Sequence, residues 1–90
     1  MTEDQISALL TEVKGELNTP PGFSDATLTD YIKSGEYDIK SIVDDSIDFT
    51  VDLKARSLLK SYVRYSYYGL RDEFKDRYDR EYQELQIEYA

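Results

Sequence analysis

Three cations stand four residues apart in the stretch Asp52 to Leu70, DLKARSLLKSYVRYSYYGL: Arg56, Lys60 and Arg64. On a helix that spacing stacks them in one row, roughly 6 Å apart along the axis. Such a row can bind carboxylates or phosphates. It is equally the solvated face of a core helix, and periodicity reads the same for both. The other side of the stretch is apolar: Ala55, Leu58, Leu59, Tyr62, Val63, Tyr65 and Leu70 share it, while Lys54, Ser57 and Ser61 join the cations opposite.

Carboxylates are the second chemically capable set, nineteen in all, densest at Asp44-Asp45-Ser46-Ile47-Asp48. A calcium loop of the EF-hand type starting at Asp44 would place Phe49 where that loop needs glycine and Ala55 where it needs a bidentate glutamate, so the cluster is not one. The chain has no cysteine and no histidine. That removes disulfides, thiolate metal sites, the commonest general base and the commonest metal ligand. No glycine-rich phosphate loop and no Ser/His/Asp set occurs. The expectation is a protein that is not an enzyme and carries no cofactor or metal.

Ninety residues make one domain, 1–90, with a modest core. That core draws on tyrosine, with nine Tyr against three Phe and no Trp, and seven of the nine lie at or beyond Tyr62. Tyrosine buries a ring but wants a partner for its hydroxyl, which suits surfaces dry in one state and wet in another. Nothing approaches 18 consecutive apolar residues and no basic, then apolar, leader is present, so a soluble, unsecreted protein with no membrane contact is expected. The net charge of −8 is uneven: residues 1–50 hold three Lys/Arg against eleven Asp/Glu, whereas residues 51–90 hold eight of each. An acidic chain is a poor non-specific DNA binder. An acidic half beside a half with basic rows suggests head-to-tail self-association.

The elements that must position these groups are helices. Thr2-Glu3-Asp4-Gln5 has the form of a capping box, followed by the stripe Ile6, Leu9, Leu10, Val13, Leu17. Thr19-Pro20-Pro21-Gly22 turns the chain, and Ser24 caps a second helix after Phe23. There Leu28, Tyr31, Ile32, Ile39, Ile42 and Val43 share a face with Gly35, which marks either a close helix contact or a break. From Ser46 to Leu53 polar and apolar residues alternate, predicting an extended segment. Its Ile47, Phe49 and Val51 either tuck under the helices or form an arm to another subunit. The third helix carries the cation row, with Gly69 as its cap or a kink. A terminal helix from Arg71 presents Phe74, Tyr78, Tyr82, Leu85 and Tyr89 in a narrow stripe. The architecture expected is all-α: a small bundle of about four helices, with an extended connector before the third.

Arg56 to Tyr65 (RSLLKSYVRY), a glycine at Gly69, Asp72-Glu73-Phe74 and Tyr78 together resemble the small head–tail connector proteins of long-tailed bacteriophages, the adaptor or DNA-packaging family. The likeness is strongest over Leu53 to Tyr78, and its motifs are structural. It implies an all-α virion protein, made in the host bacterial cytoplasm, that assembles as a ring beneath the portal. The ring would extend the channel for passing genomic DNA without sequence-specific binding, and would dock the next head-completion (stopper) or tail protein. On that resemblance Leu58, Leu59, Tyr62, Val63 and Tyr65 are core. Arg56, Lys60 and Arg64 are an inter-subunit or channel-facing row, and the terminal helix with Arg71, Phe74, Tyr78, Tyr82 and Tyr89 is the portal-contacting candidate. Two other readings compete. One is a helical DNA-binding regulator using Arg56, Lys60, Arg64 and Arg71 on phosphates; the other is an antitoxin- or inhibitor-like module whose acidic half caps a basic partner.

Overall fold

Three side chains start the three long helices. Thr2 Oγ1 accepts the Gln5 N–H (3.2 Å) while Gln5 Oε1 accepts that of Thr2 (2.9 Å), closing the capping box. Ser24 Oγ accepts the Thr27 N–H (3.2 Å), and Asp52 Oδ1 accepts the Ala55 N–H (3.0 Å). The computed structural model describes residues 1–90 as α1 (Glu3–Leu17), α2 (Asp25–Ile42), α3 (Leu53–Tyr67), α4 (Arg71–Arg77) and α5 (Asp79–Glu88), with no strand. The chain is therefore all-α, with five helices rather than about four.

α3 lies at the centre, burying Ala55, Leu58, Leu59, Tyr62 and Val63, the stripe the sequence marks, together with Ser66. It ends as Gly69 takes φ +73°, a conformation that costs glycine little. The Leu70 N–H then reaches the Tyr65 carbonyl (2.7 Å) and the Gly69 N–H that of Ser66 (3.1 Å), the pairing of a Schellman motif. α2 runs unbroken through Gly35, which is buried against α3. A Cβ there would lie 2.6 Å from Leu59 Cδ1 and 2.7 Å from Tyr62 Cδ1. Of the two roles open to Gly35, the structure shows the close contact. α1 packs on α2 and α3 and meets neither α4 nor α5; α4 packs on α3, and α5 on α2 and α3.

Two segments differ from the sequence expectation. Residues 44–52 are not extended. Asp44 Oδ1 takes the Ser46 N–H (2.8 Å) and Asp48 Oδ1 the Thr50 N–H (2.9 Å), and these side-chain bonds fold the segment into consecutive turns. The backbone bonds from Ile47 to Asp44 and from Val51 and Asp52 to Asp48 complete them. Local hydrogen bonding thus overrides the alternation. The terminal helix is likewise two helices that meet at Tyr78, whose φ −107° and ψ 22° are not helical. Phe74, Tyr78 and Tyr82 are four residues apart, and each such step rotates about 40° around a straight helix. The bend removes that drift, so Phe74 and Tyr82 both reach the core while Tyr78 stacks on Phe74 at 4.7 Å.

Gly35→Ala is expected to destabilise by about 1–3 kcal/mol through overpacking, despite alanine's better helix propensity. Gly15, a helical position with open space around its missing Cβ, should instead gain roughly 0.5–1 kcal/mol as alanine. Urea unfolding of the two variants measures both signs. Asp52→Ala should cost about 1 kcal/mol at neutral pH for the lost cap. Burial raises the Asp52 carboxyl, but hydrogen bonds from Tyr89 and the Ala55 and Lys54 amides outweigh it, holding the group below its ordinary 3.8. That lowered value adds stability above pH 3.8 and loses it as pH falls through the folded value. The gap between wild type and Asp52→Ala should therefore narrow in acid, read from urea midpoints on either side of pH 3.8.

Candidate functional site

The helix period places Arg56, Lys60 and Arg64 on one face of α3, as expected, but α1 lies along much of it. Arg56 pairs with Glu12 and also donates to the Phe49 carbonyl (3.4 Å). Lys60 Nζ reaches Glu12 (3.1 Å) and Glu16 (2.9 Å). The hydrogen bond from Lys60, with Arg56 beside it, holds the Glu12 carboxyl below its usual value against a smaller opposing effect of burial. The first two members of the row thus act as a clasp between α3 and α1. Arg64 alone has no carboxylate partner; it is exposed and donates to the Tyr78 hydroxyl (3.2 Å).

The other sequence candidates are dispersed. Ile47 and Phe49 are buried in the chain's own core, at 4% and 1% exposure, whereas Val51 faces out at 74%, beside exposed Leu53. The structure thus gives Ile47 and Phe49 the tucked placement, and only Val51 of the three presents a free side chain. In the terminal segment Phe74 and Tyr82 are buried, and Tyr78 and Tyr89 are half-buried. The Tyr89 hydroxyl donates to Asp52 Oδ2 (2.6 Å), which with nearby charge raises it to about 12. This aromatic stripe docks on α2 and α3, leaving Arg71 as its surface member.

Arg71 is where four helices converge. Its guanidinium lies 5.4 Å from the Tyr31 ring centre and 5.2 Å from that of Tyr62, and its Nε donates to Ser66 Oγ (3.0 Å). Beside it is a pocket of about 200 Å³ lined by Asp38, Ser41 and Ile42 of α2, Tyr62 of α3, Arg71, Phe74 and Lys75 of α4, and Tyr82 of α5. A more open depression, with Lys33, Ser34 and Tyr37, shares Asp38, Tyr62 and Arg71 with it. The Tyr62 hydroxyl donates to Asp38 Oδ2 (2.8 Å). Burial first, then this bond, raises Tyr62 to about 12, while Arg71 pulls the other way. Tyr82 is also raised, by burial and then by Asp38; its hydroxyl makes no hydrogen bond within the protein and keeps access to solvent. Neither Arg71 nor Lys75 forms an ion pair.

Asp38 and Lys75 were not singled out by the sequence reading. The signal for Asp38 was present: it stands three residues after Gly35 and seven after Tyr31, so a carboxylate sits on the face that packs against α3. No group of three acidic side chains is placed to hold a metal ion, and no helix is long and apolar enough to cross a membrane. No protein-family model, curated protein or solved structure matches the chain.

Arg56→Ala should lower stability by about 1–2 kcal/mol, since it removes packing as well as the Glu12 and Phe49 contacts. Arg64→Ala should change it by less than about 0.5 kcal/mol, as exposed sites without ionic partners do. Thermal unfolding of both variants under one buffer condition checks the contrast.

Proposed function

We propose that this chain is a structural virion subunit, a head–tail connector that assembles as a ring under the portal and lies at the head–tail interface. There it extends the DNA channel and offers the docking surface for the next head-completion or tail protein. The observation that carries the reading is the state of the Leu53–Tyr78 stretch that resembles that family. Its apolar members build the central helix, while Arg64 is left exposed and free of carboxylates. Cyclic rings need two unlike faces per subunit. Exposed Glu3 and Asp4 of α1 and exposed Arg71 and Lys75 of α4 form no ion pair within the subunit and are free to serve such faces. DNA would pass without sequence-specific contact, since two of the three row cations already serve α1.

Co-sedimentation with assembled portal tests the role, with stoichiometry from quantitative mass spectrometry. Near-equal copies of this chain and the portal subunit are expected. Failure to bind, together with absence from finished particles, would sink the connector reading and turn attention to an inhibitor-like role. Arg64→Glu should leave a folded, soluble subunit and reduce incorporation into the portal complex; normal incorporation would remove Arg64 from the assembly surface.

A further inference from the structure

We infer that the pocket between α2, α3, α4 and α5 binds a small free organic acid, one carboxylate carried on a single aromatic ring or a branched aliphatic group. This goes beyond the ring reading and does not depend on it. It starts from how Arg71 is held. Apart from tyrosine, Ser66 is the one buried polar side chain, at 7% exposure, and its hydroxyl accepts the Arg71 Nε–H (3.0 Å). The same guanidinium lies over the Tyr31 and Tyr62 rings. With Nε occupied, its two Nη groups form the free end of the fork, and no carboxylate of the chain pairs with them. That end matches the two oxygens of a carboxylate.

The space beside the fork suits the rest of such a molecule. Ile42, Tyr62, Phe74 and Tyr82 give the pocket an apolar wall, and its three aromatic rings offer edges and faces to a ligand ring. At about 200 Å³ the pocket exceeds the roughly 150 Å³ of an apolar cavity that takes up benzene, and it is smaller than the roughly 300–1,000 Å³ of drug-sized sites. Charge sets the anion. Arg71 and Lys75 against Asp38 leave one positive charge in excess, which matches a monoanion, whereas a phosphate ester brings two negative charges to the same Asp38. Lys33 joins Arg71 only in the adjoining open depression, and Asp72, Glu73 and Asp76 of α4 line neither space. The lining also favours a free acid over the end of a peptide. Capture of a chain terminus uses a nest of loop backbone, and every residue lining this pocket lies within a helix.

The test is titration of the full chain with phenylacetate at neutral pH and constant ionic strength, followed by backbone amide NMR shifts. Far-UV circular dichroism confirms that each variant is folded. Saturable shifts are expected around the pocket, at Asp38 to Ile42 and Arg71 to Lys75, with the neutral phenylacetamide binding roughly tenfold more weakly. Arg71→Lys, which keeps the charge and loses the fork, should weaken phenylacetate by roughly tenfold. Ser66→Ala, which releases Arg71 without touching the ligand, and Lys75→Gln on the exposed rim should each weaken it several-fold. Arg80→Gln, an exposed cation outside the pocket, should change nothing. Shifts that do not saturate or that map elsewhere overturn the inference. So does phenylacetamide binding as tightly as the acid, or a folded Arg71→Lys and Lys75→Gln that both bind as wild type does. Tighter binding of phenyl phosphate overturns the assignment to a monoanion. An N-acetylated tripeptide ending in phenylalanine that binds roughly tenfold tighter than phenylacetate overturns the assignment to a free acid. Co-sedimentation with portal is independent of all these outcomes, so the connector role is judged separately.

Discussion

α2 and α3 approach as closely as they do because residue 35 has no side chain, and much of the molecule is arranged on that contact. With Gly35 opposite it, the Tyr62 ring lies flush on α2, and its hydroxyl reaches Asp38 one turn further on. Arg71 lies over the face of the same ring, and Phe74 meets it in a T-shaped contact at 5.2 Å. α4 is therefore placed largely by what Tyr62 offers it, and α5 follows through Phe74 and Tyr82. A methyl group at position 35 would push against both Leu59 and Tyr62, so the fault would spread to the pocket as well as to the helix pair.

The charges divide by use. Arg56 and Lys60 are taken up by α1, Lys54 by Glu84 and Glu88 of α5, Lys14 by Asp25, and Lys40 by Glu36. Exposed pairs of this kind add little stability one at a time. Their larger consequence is which cations remain free. Apart from Lys33, the cations without an ion pair are Arg64, Arg71, Lys75, Arg77 and Arg80, all between residues 64 and 80, while Glu3 and Asp4 remain unpaired on α1. Those free cations are interleaved with Asp72, Glu73, Asp76 and Asp79, which are also exposed and unpaired, so this stretch stays mixed in sign after folding.

The three long helices, the caps at Thr2 and Ser24 and the apolar stripe of α3 were legible in the sequence because they follow from a 3.6-residue period and from local hydrogen bonds. The connector was misjudged for a local reason too: Asp44 and Asp48 each fold the backbone over the residue two ahead, which a hydropathy alternation does not register. The break at Tyr78 needed tertiary information, since no proline or glycine marks it and the drift of the aromatic stripe matters only once α2 and α3 fix where it must dock. The cation row was found, but its partners were not; pairing Arg56 with Glu12 spans 44 positions, and nothing local encodes it. The pocket was hidden for the same reason, being assembled from four helices.

Tyrosine accounts for the last feature. A buried tyrosine contributes its ring to the core at the cost of a hydroxyl that must find a partner or remain desolvated. Tyr62 and Tyr82 are the two buried ones, and they meet that demand differently. Tyr62 donates to Asp38, whereas the Tyr82 hydroxyl makes no hydrogen bond within the protein and keeps contact with solvent at the pocket that Arg71 and Lys75 also line.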